Sequence, residues 1–356
     1  MVSLLDRMAH PLDLDAYLSL ADPTWGKQLR GVVEQVVPLT SSSAAVRIRP
    51  GRGWKAHVPG QFVTIGVDVD GRRHHRCYSI TSLPTDGRRR GARIEIAVQA
   101  VDGGTVSEHL VRRAAPGDVV QLAQAEGDFV LPTPVPERLL FVTGGSGITP
   151  VIGMLRWLKD TGASTDVVLL HHVRTLDRLM FRAEPERWAG RTPTVRVVLA
   201  RTGEGDRRLD AARLDHDCPD WKEREAFVCG PDALASFALD HWAGAGIEDR
   251  LHLERFQPAA TPVAAPIGEG GRGPSTVAFA RSGVVIQADD TLPLLDVAEA
   301  AGVRPPAGCR MGICHTCTSH LSCGSVVDLR DGRIHEAGEH VQLCVSAPLG
   351  DVVVDR

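Results

Sequence analysis

Four cysteines near the C-terminal end have the spacing of an iron–sulfur cluster site. Cys309, Cys314 and Cys317 form a C-x4-C-x2-C run, and Cys344 follows after 26 intervening residues. Sites of this kind bind a [2Fe–2S] cluster, with three thiolates from one loop and the fourth from a remote segment. Because such a cluster transfers one electron at a time, the rest of the chain should contain the point at which electrons enter.

A structural zinc site is the main alternative for these cysteines. Zinc sites usually combine two C-x2-C knuckles, whereas the first gap here is four residues. Gly308 and Gly312 also suit a loop whose backbone N–H groups approach cluster sulfurs. We therefore predict that all four cysteines are cluster ligands. Cys218 and Cys323 fit no ligand position; we predict that Cys218 is structural and Cys323 a buried thiol.

A short segment with the sequence RCYS has the side chains that a flavin needs. Arg76 can pair with a phosphate, Tyr78 can stack on the ring, and Ser79 can hydrogen-bond near flavin N5 and stabilise the reduced ring. Further along, Gly104 and Ser107 open a predicted helix whose backbone N–H groups would bind a pyrophosphate. Two phosphate contacts favour FAD over FMN. The alternative for the RCYS segment is a basic strand edge with an unrelated tyrosine.

A glycine-rich loop at residues 144–150 follows a predicted strand and begins a predicted helix. Glycines let the backbone approach a phosphate, and the helix terminus adds partial positive charge, which is typical of a dinucleotide site. Cys229 ends a later strand at the same sheet edge, where its thiol can lie beside a nicotinamide ring; the alternative is an ordinary buried cysteine. We predict Ser79 and Cys229 as catalytic residues. The predicted nucleotide contacts are Gly144, Gly145, Gly147, Thr149, Arg201, Cys229, Gly230 and Pro231.

The choice of pyridine nucleotide depends on the end of a third predicted strand, at Ala200 and Arg201. No acidic residue stands there to accept a ribose 2′-OH, and arginine suits a 2′-phosphate. Arg207 and Arg208 follow soon after. We therefore predict NADPH as the nucleotide, with NADH as the alternative.

The segment 26–136 predicts an antiparallel β-barrel that would hold the flavin. Turn signals separate apolar or alternating runs at residues 32–33, 45–48, 62–65 and 93–98. Short strands at this interval are typical of a barrel. One helix is predicted to begin near Gly104.

The remaining chain divides into a nucleotide domain, a linker and a cluster domain. Residues 137–256 alternate between apolar strands and amphipathic helices, which predicts βαβ units and a parallel sheet. Residues 257–274 are rich in Pro, Gly and Ala and are predicted to be a linker. Residues 275–356 predict a small α+β, β-grasp-like domain. Residues 1–25 are a leader that we expect to pack on the barrel, with contact to a membrane surface as the alternative.

The composition excludes several classes of protein. At 356 residues, with 43% hydrophobic and 24% charged residues, the chain has the composition of a soluble multidomain protein. No stretch approaches 18 uninterrupted apolar residues and no secretory signal is visible, so neither a membrane span nor secretion is expected. Eight cysteines, four of them in one cluster motif, indicate a reducing cytoplasm. The net charge of −4 gives no reason to expect nucleic acid.

Together these motifs resemble the ferredoxin–NADP reductase-like flavoproteins that are fused to a C-terminal plant-type ferredoxin domain. The resemblance covers about residues 26–356, and its most specific parts are the cluster cysteines and the Arg76-x-Tyr78-Ser79 motif. It implies FAD, NADPH and a [2Fe–2S] cluster as cofactors and Phe256 as a neighbour of the flavin ring. The chain departs from the family at Cys77, where many relatives carry a small residue; this adds an oxidation-sensitive thiol.

Within this family, residues 249–256 and the cluster loop look most like actinobacterial reductases that serve membrane acyl-CoA desaturases. The resemblance implies that electrons pass from NADPH to FAD, then to the cluster and then to an external acceptor protein. Contact with a membrane would then be peripheral, through the membrane partner. The alternatives are a reductase for a soluble cytochrome P450 or for an aromatic-ring or di-iron hydroxylase, and a redox sensor without turnover.

Overall fold

The computed structural model describes residues 22, 24–25, 28–69, 72–184, 194–256, 275–308, 310, 312, 315–330 and 332–356. The chain divides into two compact units, Met1–Glu254 and Arg255–Arg356. Nearly all of the predicted leader, the predicted linker at 257–274 and two of the predicted cluster ligands, Cys309 and Cys314, lie outside the described residues.

The first half of the first unit is a closed antiparallel sheet, which confirms the predicted barrel. Its strands are β1 (Arg30–Thr40), β2 (Ser43–Pro50), β3 (Phe62–Val69), β4 (Arg72–Ser79), β5 (Ile94–Gln99) and β6 (Val119–Glu126), in the order β4-β3-β6-β1-β2-β5. A bridge between Ile80 and Ile96 joins the end of β4 to β5 and closes the sheet. Alternating strand residues such as Val46, Ile48 and Ile65 fill the interior without exposed surface. The predicted helix is α1 (Thr105–Arg112).

The second half of this unit is a parallel sheet with helices, as predicted. Its strands are β7 (Arg138–Gly144), β8 (Asp166–Val173), β9 (Thr194–Arg201), β10 (Glu225–Cys229) and β11 (Leu251–Glu254), in the order β11-β10-β7-β8-β9. The helices are α2 (Ile148–Thr161), α3 (Ala211–Asp217) and α4 (Asp232–Gly244). The chain order reverses between β7 and β10, and parallel sheets bind ligands outside the carboxyl ends of strands at such a switch point.

Helix α2 joins the two halves of this unit through a buried ion pair. The Arg156 guanidinium donates to the Glu95 carboxylate at 2.6 Å and to the Thr81 carbonyl at 2.8 Å, and it also pairs with Glu184. Burial alone would raise the pKa of Glu95, but Arg156, Arg47 and Thr81 hold it below its ordinary value. Because the Glu95 side chain is only 9% exposed, its charge depends on these partners.

The second unit is a mixed sheet covered by one helix, which confirms the predicted α+β class. Its elements are β12 (Ser275–Phe279), β13 (Val284–Ala288), α5 (Leu294–Ala300), β14 (Thr318–Cys323), β15 (Ser325–Asp328), β16 (Ile334–Glu336), β17 (His340–Gln342), β18 (Ser346–Pro348) and β19 (Val352–Val354). The main sheet has the order β13-β12-β19-β14-β17, and β16, β15 and β18 form a second small sheet. Val277, Phe279, Leu294 and Leu295 fill the core without exposed surface.

The two cysteines outside the cluster motif have different environments. Cys218 is fully buried, and burial raises the pKa of its thiol to about 12, so the prediction of a structural thiol is confirmed. Cys323, predicted to be buried, is exposed. The register of β14 with β19 shifts between Leu321 and Cys323, which turns the end of the strand away from the core. No helix within the described ranges is both long and apolar enough to cross a bilayer.

Replacing Arg156 should destabilise the first unit in a pH-dependent way. In Arg156→Gln, Glu95 keeps a buried charge without its main partner, so we expect the free energy of unfolding at pH 7 to fall by about 3 kcal/mol. Because the Glu95 pKa is lowered in the folded state, this stabilisation is present above the ordinary carboxyl pKa of about 4.3 and is lost as the pH falls further. Urea unfolding at several pH values measures the difference.

Arg73→Gln is the matched control, since Arg73 pairs with Asp68 at 2.8 Å on the surface, with side chains 45% and 60% exposed. Its effect should stay below about 1 kcal/mol. Equal losses in the two variants, or a loss in Arg156→Gln that persists unchanged in acid, would contradict the assignment of a buried interdomain pair.

Candidate functional site

Strand β4 carries the predicted flavin residues and places one unpartnered polar atom among them. Tyr78 lies opposite Val63, and Ser79 opposite Phe62, in the antiparallel pairing with β3. Tyr78 is partly buried, and burial raises the pKa of its phenol, so the ring stays neutral. Ser79 is 3% exposed, and its buried Oγ has no hydrogen-bond partner among the described atoms. A hydroxyl in this position fits a bound group with a polar edge, as a flavin has.

The N-terminus of α1 has the backbone geometry of the predicted pyrophosphate site. Gly103 has a φ of +74°, and a Cβ on Gly104 would lie 2.5 Å from Ser107 Oγ and 2.8 Å from the Val101 carbonyl. The Ser107 hydroxyl accepts from the Val101 N–H at 3.2 Å and donates to the Gly104 carbonyl at 3.3 Å. Ser107 therefore shapes the loop, and the N–H groups of the first helical turn are the donors that face outward. A contact from Ser107 itself to a phosphate stays a prediction.

The glycine loop lies directly against the end of β10. A Cβ on Gly147 would overlap the Cys229 carbonyl, and one on Gly144 would lie 2.7 Å from Pro231 Cδ. Gly145 has a φ of +54° and faces open space. The fold thus brings the predicted loop and the predicted Cys229-Gly230-Pro231 segment together at one sheet edge. Thr149, in the first turn of α2, is buried.

A cavity of about 450 Å³ opens beside this loop and is lined by basic residues. Arg174 and Arg178, beyond the end of β8, and Arg208, beyond the end of β9, face the cavity together with Gly144 and Gly145. None of these three arginines has an ion-pair partner within the part of the chain that the structure describes. Such a site fits an anionic ligand with more than one phosphate. Sequence analysis missed Arg174 and Arg178, although their position after a parallel strand was a usable signal.

Arg201, predicted to contact the nucleotide, does not line this cavity. Its guanidinium pairs with Glu204 at 3.3 Å and with Asp206 at 3.5 Å, and its backbone N–H donates to Asp206 at 2.6 Å. Two carboxylates therefore already neutralise Arg201. The arginine cluster at the cavity, Arg174, Arg178 and Arg208, has the free positive charge that the sequence analysis assigned to Arg201.

Sequence analysis also missed Glu254 as a site residue. Glu254 ends β11 and lies opposite Cys229 in the parallel register of β10 and β11. Its Oε2 atom is buried and has no hydrogen-bond partner among the described residues, and burial raises the pKa of the carboxyl to about 8. Burial, and then the charge of Glu254, raise the pKa of the Cys229 thiol well above its ordinary value. Cys229 is therefore a neutral thiol, and Glu254 can hold a proton at neutral pH. Phe256 follows β11 and is partly buried.

Two of the predicted cluster ligands meet in the second unit. The Sγ atoms of Cys317 and Cys344 are 3.3 Å apart, and the residues are 2% and 5% exposed. A buried pair of sulfur donors from separate segments fits two ligands of one iron–sulfur cluster. The loop has a left-handed backbone at Arg310, Gly312 and His315, with φ values of +60°, +71° and +53°.

Replacing Glu254 should stabilise the chain at neutral and mildly alkaline pH. The pKa of Glu254 is raised in the folded state, so the folded chain keeps this proton while the unfolded chain loses it. The wild type therefore loses stability as the pH rises from 4.5 towards about 8. In Glu254→Gln this loss is absent, and we expect a free energy of unfolding about 2–4 kcal/mol above wild type at pH 8, with no difference near pH 4.

Glu248→Gln is the control, because Glu248 is an exposed carboxyl just before β11. It should follow the wild-type pH profile of urea unfolding. A Glu254→Gln profile parallel to wild type over this range would mean that Glu254 ionises normally in the folded chain.

Comparison with known proteins covers both units. The family model of the oxidoreductase FAD-binding domain matches residues 55–131, that of the oxidoreductase NAD-binding domain matches 141–240, and that of the 2Fe-2S iron-sulfur cluster binding domain matches 277–349. The structure of phthalate dioxygenase reductase superimposes with a TM-score of 0.62 over 93% of this chain and 98% of that chain, at 24% identity. That likeness shows a shared fold.

Two curated relatives show the family. An NADPH oxidoreductase of Mycobacterium tuberculosis is 46% identical over 352 residues, which is 98% of this chain and 90% of the relative. A glycine betaine monooxygenase reductase subunit of Pseudomonas aeruginosa is 31% identical over 83% of this chain and 86% of the relative. FAD, a nicotinamide nucleotide and a [2Fe–2S] cluster are the cofactors of these domains. The chain belongs to the ferredoxin reductase-like oxidoreductases, in which a FAD-binding domain, a NAD-binding domain and a [2Fe–2S] domain form one polypeptide.

Proposed function

We propose that this chain is a cytoplasmic NADPH-dependent reductase that delivers single electrons to an oxygenase-type acceptor, most specifically a membrane fatty-acyl desaturase. The observation that carries the choice of NADPH is the cavity beside the glycine loop, where Arg174, Arg178 and Arg208 have no carboxylate partner in the described ranges. A 2′-phosphate adds about two negative charges, which three unpaired guanidinium groups favour. NADH lacks that phosphate and would leave the arginines uncompensated.

The residues at the ends of β4, β10 and β11 suit hydride transfer between two flat rings. When bound, FAD accepts a hydride from NADPH and passes electrons one at a time to the cluster. Ser79 offers a buried hydroxyl that can donate to the flavin edge. Cys229 provides an uncharged thiol beside the nicotinamide. Glu254 can hold a proton at Oε2 while the flavin changes its charge.

The proposal of a desaturase as acceptor rests on the likeness of residues 249–256 and of the cluster loop to reductases of that class. A second candidate is a soluble oxygenase. The names of two other relatives support an oxygenase acceptor that is not a desaturase. A component of the 1,2-phenylacetyl-CoA epoxidase of Escherichia coli is 28% identical, and the 3-ketosteroid-9-alpha-monooxygenase ferredoxin reductase component of Mycolicibacterium smegmatis is 29% identical. Those names link the two relatives to an epoxidase and to a monooxygenase.

Removing the cavity arginines should weaken NADPH selectively. We expect Arg174→Gln and Arg208→Gln each to raise the KM for NADPH about tenfold or more, since each loses a charge-assisted hydrogen bond. The KM for NADH and the kcat with either nucleotide should change less than about twofold, because only the 2′-phosphate contact is lost. Steady-state reduction of ferricyanide measures these constants.

Arg207→Gln is the matched control, because Arg207 is adjacent in sequence, is 82% exposed and pairs with Asp210. Its kinetic constants should equal those of wild type. If Arg201→Gln weakens NADPH while Arg174→Gln and Arg208→Gln do not, the cavity is not the 2′-phosphate site.

The acceptor is tested by coupling the loaded full chain to candidate oxygenases. We expect NADPH-dependent double-bond formation when the reductase is mixed with membranes that contain a fatty-acyl desaturase, and loss of that activity in Cys344→Ser, which removes a cluster ligand. Coupling only to a soluble P450 or ring hydroxylase would support the second candidate. No coupling to any oxygenase, with intact ferricyanide reduction, would remove both.

A further inference from the structure

Arg330 connects the cluster loop to the segment that carries the fourth cysteine. Its Nη1 donates to the Gly312 carbonyl at 2.7 Å, and Gly312 lies within the loop between residues 308 and 317. Its Nη2 donates to Gln342 Oε1 at 3.0 Å, and Gln342 is two residues before Cys344. One guanidinium therefore contacts both ligand-bearing segments of the second unit.

Asp328 fixes the orientation of this guanidinium. Arg330 Nη2 donates to Asp328 Oδ2 at 2.6 Å, and Nε donates to Oδ1 at 3.0 Å. The Asp328 side chain is 6% exposed and ends β15. Between these two residues, the Leu329 N–H donates to the Val345 carbonyl at 2.7 Å, directly after Cys344. Asp328 and the Leu329–Val345 hydrogen bond therefore fix Arg330 beside the segment that carries Cys344. From there its guanidinium extends to the cluster loop.

The loop backbone is adapted to this contact at Gly312. Its φ of +71° favours glycine, and a Cβ there would lie 2.6 Å from Arg330 Nη1 and 2.8 Å from Val345 Cγ2. A side chain at this position would displace the guanidinium from the carbonyl. The close approach thus depends on glycine for both conformation and space.

A second link extends from the same guanidinium to the far end of the loop. Gln342 accepts from Arg330 with its Oε1 atom, and its Nε2 donates to His315 Nδ1 at 2.9 Å. His315 has a φ of +53° and precedes Cys317 by two residues. The amide oxygen of Gln342 accepts from Arg330, and its amide nitrogen donates to His315. This side chain therefore links the two residues by hydrogen bonds.

Arg310, the other arginine of this region, makes a different kind of contact. It pairs with Asp296 at 3.4 Å and with Glu299, both on α5. Arg310 is itself a loop residue, and its side chain binds the loop to α5. Arg330 lies outside the loop and donates to the loop backbone. An ordinary surface pair between Arg330 and Asp328 would contribute little to stability and would not require the Gly312 contact.

We propose that Arg330 is a positioning residue for the [2Fe–2S] cluster: it holds the cysteine loop in its ligand geometry through the Gly312 carbonyl, and its charge compensates the buried Asp328 carboxylate next to the cluster segments. The loop that carries three of the predicted ligands is long and has three residues with left-handed backbone. A donor from outside the loop that fixes the Gly312 carbonyl therefore limits the opening of this loop. Reduction adds one negative charge to the cluster, so an uncompensated Asp328 carboxylate in this region would disfavour the reduced state, and the paired guanidinium prevents this. The proposal requires the cluster that the family binds, and it adds a role for a residue outside the four cysteines.

The test compares Arg330→Gln and Arg330→Lys in the loaded full chain by two measurements. One is the rate of cluster loss in the presence of an iron chelator, followed by visible absorbance. The other is the midpoint potential from an EPR-monitored redox titration. For Arg330→Gln we expect cluster loss at least fivefold faster and a tenfold smaller equilibrium constant for reduction, which is 59 mV for one electron.

Arg330→Lys separates geometry from charge. Lysine keeps the charge but lacks the fork that contacts Asp328, Gly312 and Gln342 together, so we expect fast cluster loss with a potential close to wild type. In Arg330→Gln combined with Asp328→Asn, both charges are removed; the potential should return towards wild type while the loss rate stays high. If Arg330→Gln loses its cluster during purification, the loss rate of Arg330→Lys decides the question.

Arg281→Gln is the control within the same unit, since Arg281 is 71% exposed and pairs with Asp355 at the turn between β12 and β13. Its loss rate and potential should equal those of wild type. The proposal is overturned if Arg330→Gln and Arg330→Lys both keep wild-type loss rates, or if Arg281→Gln changes them equally. Ferricyanide reduction by NADPH through the first unit shows that the flavin and nucleotide domains of each variant are intact, independently of the acceptor proposal.

Discussion

The proposed nucleotide site depends on one close backbone contact, between the glycine loop after β7 and the end of β10. Gly147 has no room for a side chain against the Cys229 carbonyl, and Gly144 has none against Pro231. This approach places a loop of N–H groups and a neutral thiol at the same sheet edge. The cavity with its three arginines then opens on the side of β8 and β9, and Glu254 lies on the other side of Cys229.

Two of the buried polar atoms without a partner in the described structure lie at strand ends where we propose that ligands bind. In the first unit, Ser79 Oγ and Glu254 Oε2 are buried without partners in the described structure, and each ends a strand. Such atoms are costly in a folded protein unless a ligand or water completes them. In the second unit, the sulfur atoms of Cys317 and Cys344 lie in contact within a buried region. We propose that these groups of the two units bind two different cofactors.

Local sequence patterns predicted most of the fold and only part of the site. Alternating apolar residues predicted β2, β3 and β5, and continuous apolar runs predicted β7 to β10, because each pattern reports burial directly. Strands β4, β6 and β11 were not predicted; RRHHRCYS and LHLE carry polar residues that only their neighbours explain. The glycine loop was predicted because glycine spacing after a strand has a local meaning, and Cys229 because it ends a predicted strand at the carboxyl edge of the sheet. Arg174 and Glu254 were not, since their roles depend on which strands are adjacent in the parallel sheet.

We propose that electrons from NADPH pass through FAD to the [2Fe–2S] cluster within one chain. The most direct test is anaerobic rapid mixing of the fully loaded protein with NADPH, with flavin absorbance and freeze-quenched EPR recorded on the same samples. The account predicts that flavin absorbance is lost first and that the EPR signal of a reduced [2Fe–2S] cluster then grows as electrons leave the flavin. A flavin that becomes fully reduced while the cluster stays oxidised, or a cluster reduced equally fast after FAD is removed, would contradict it.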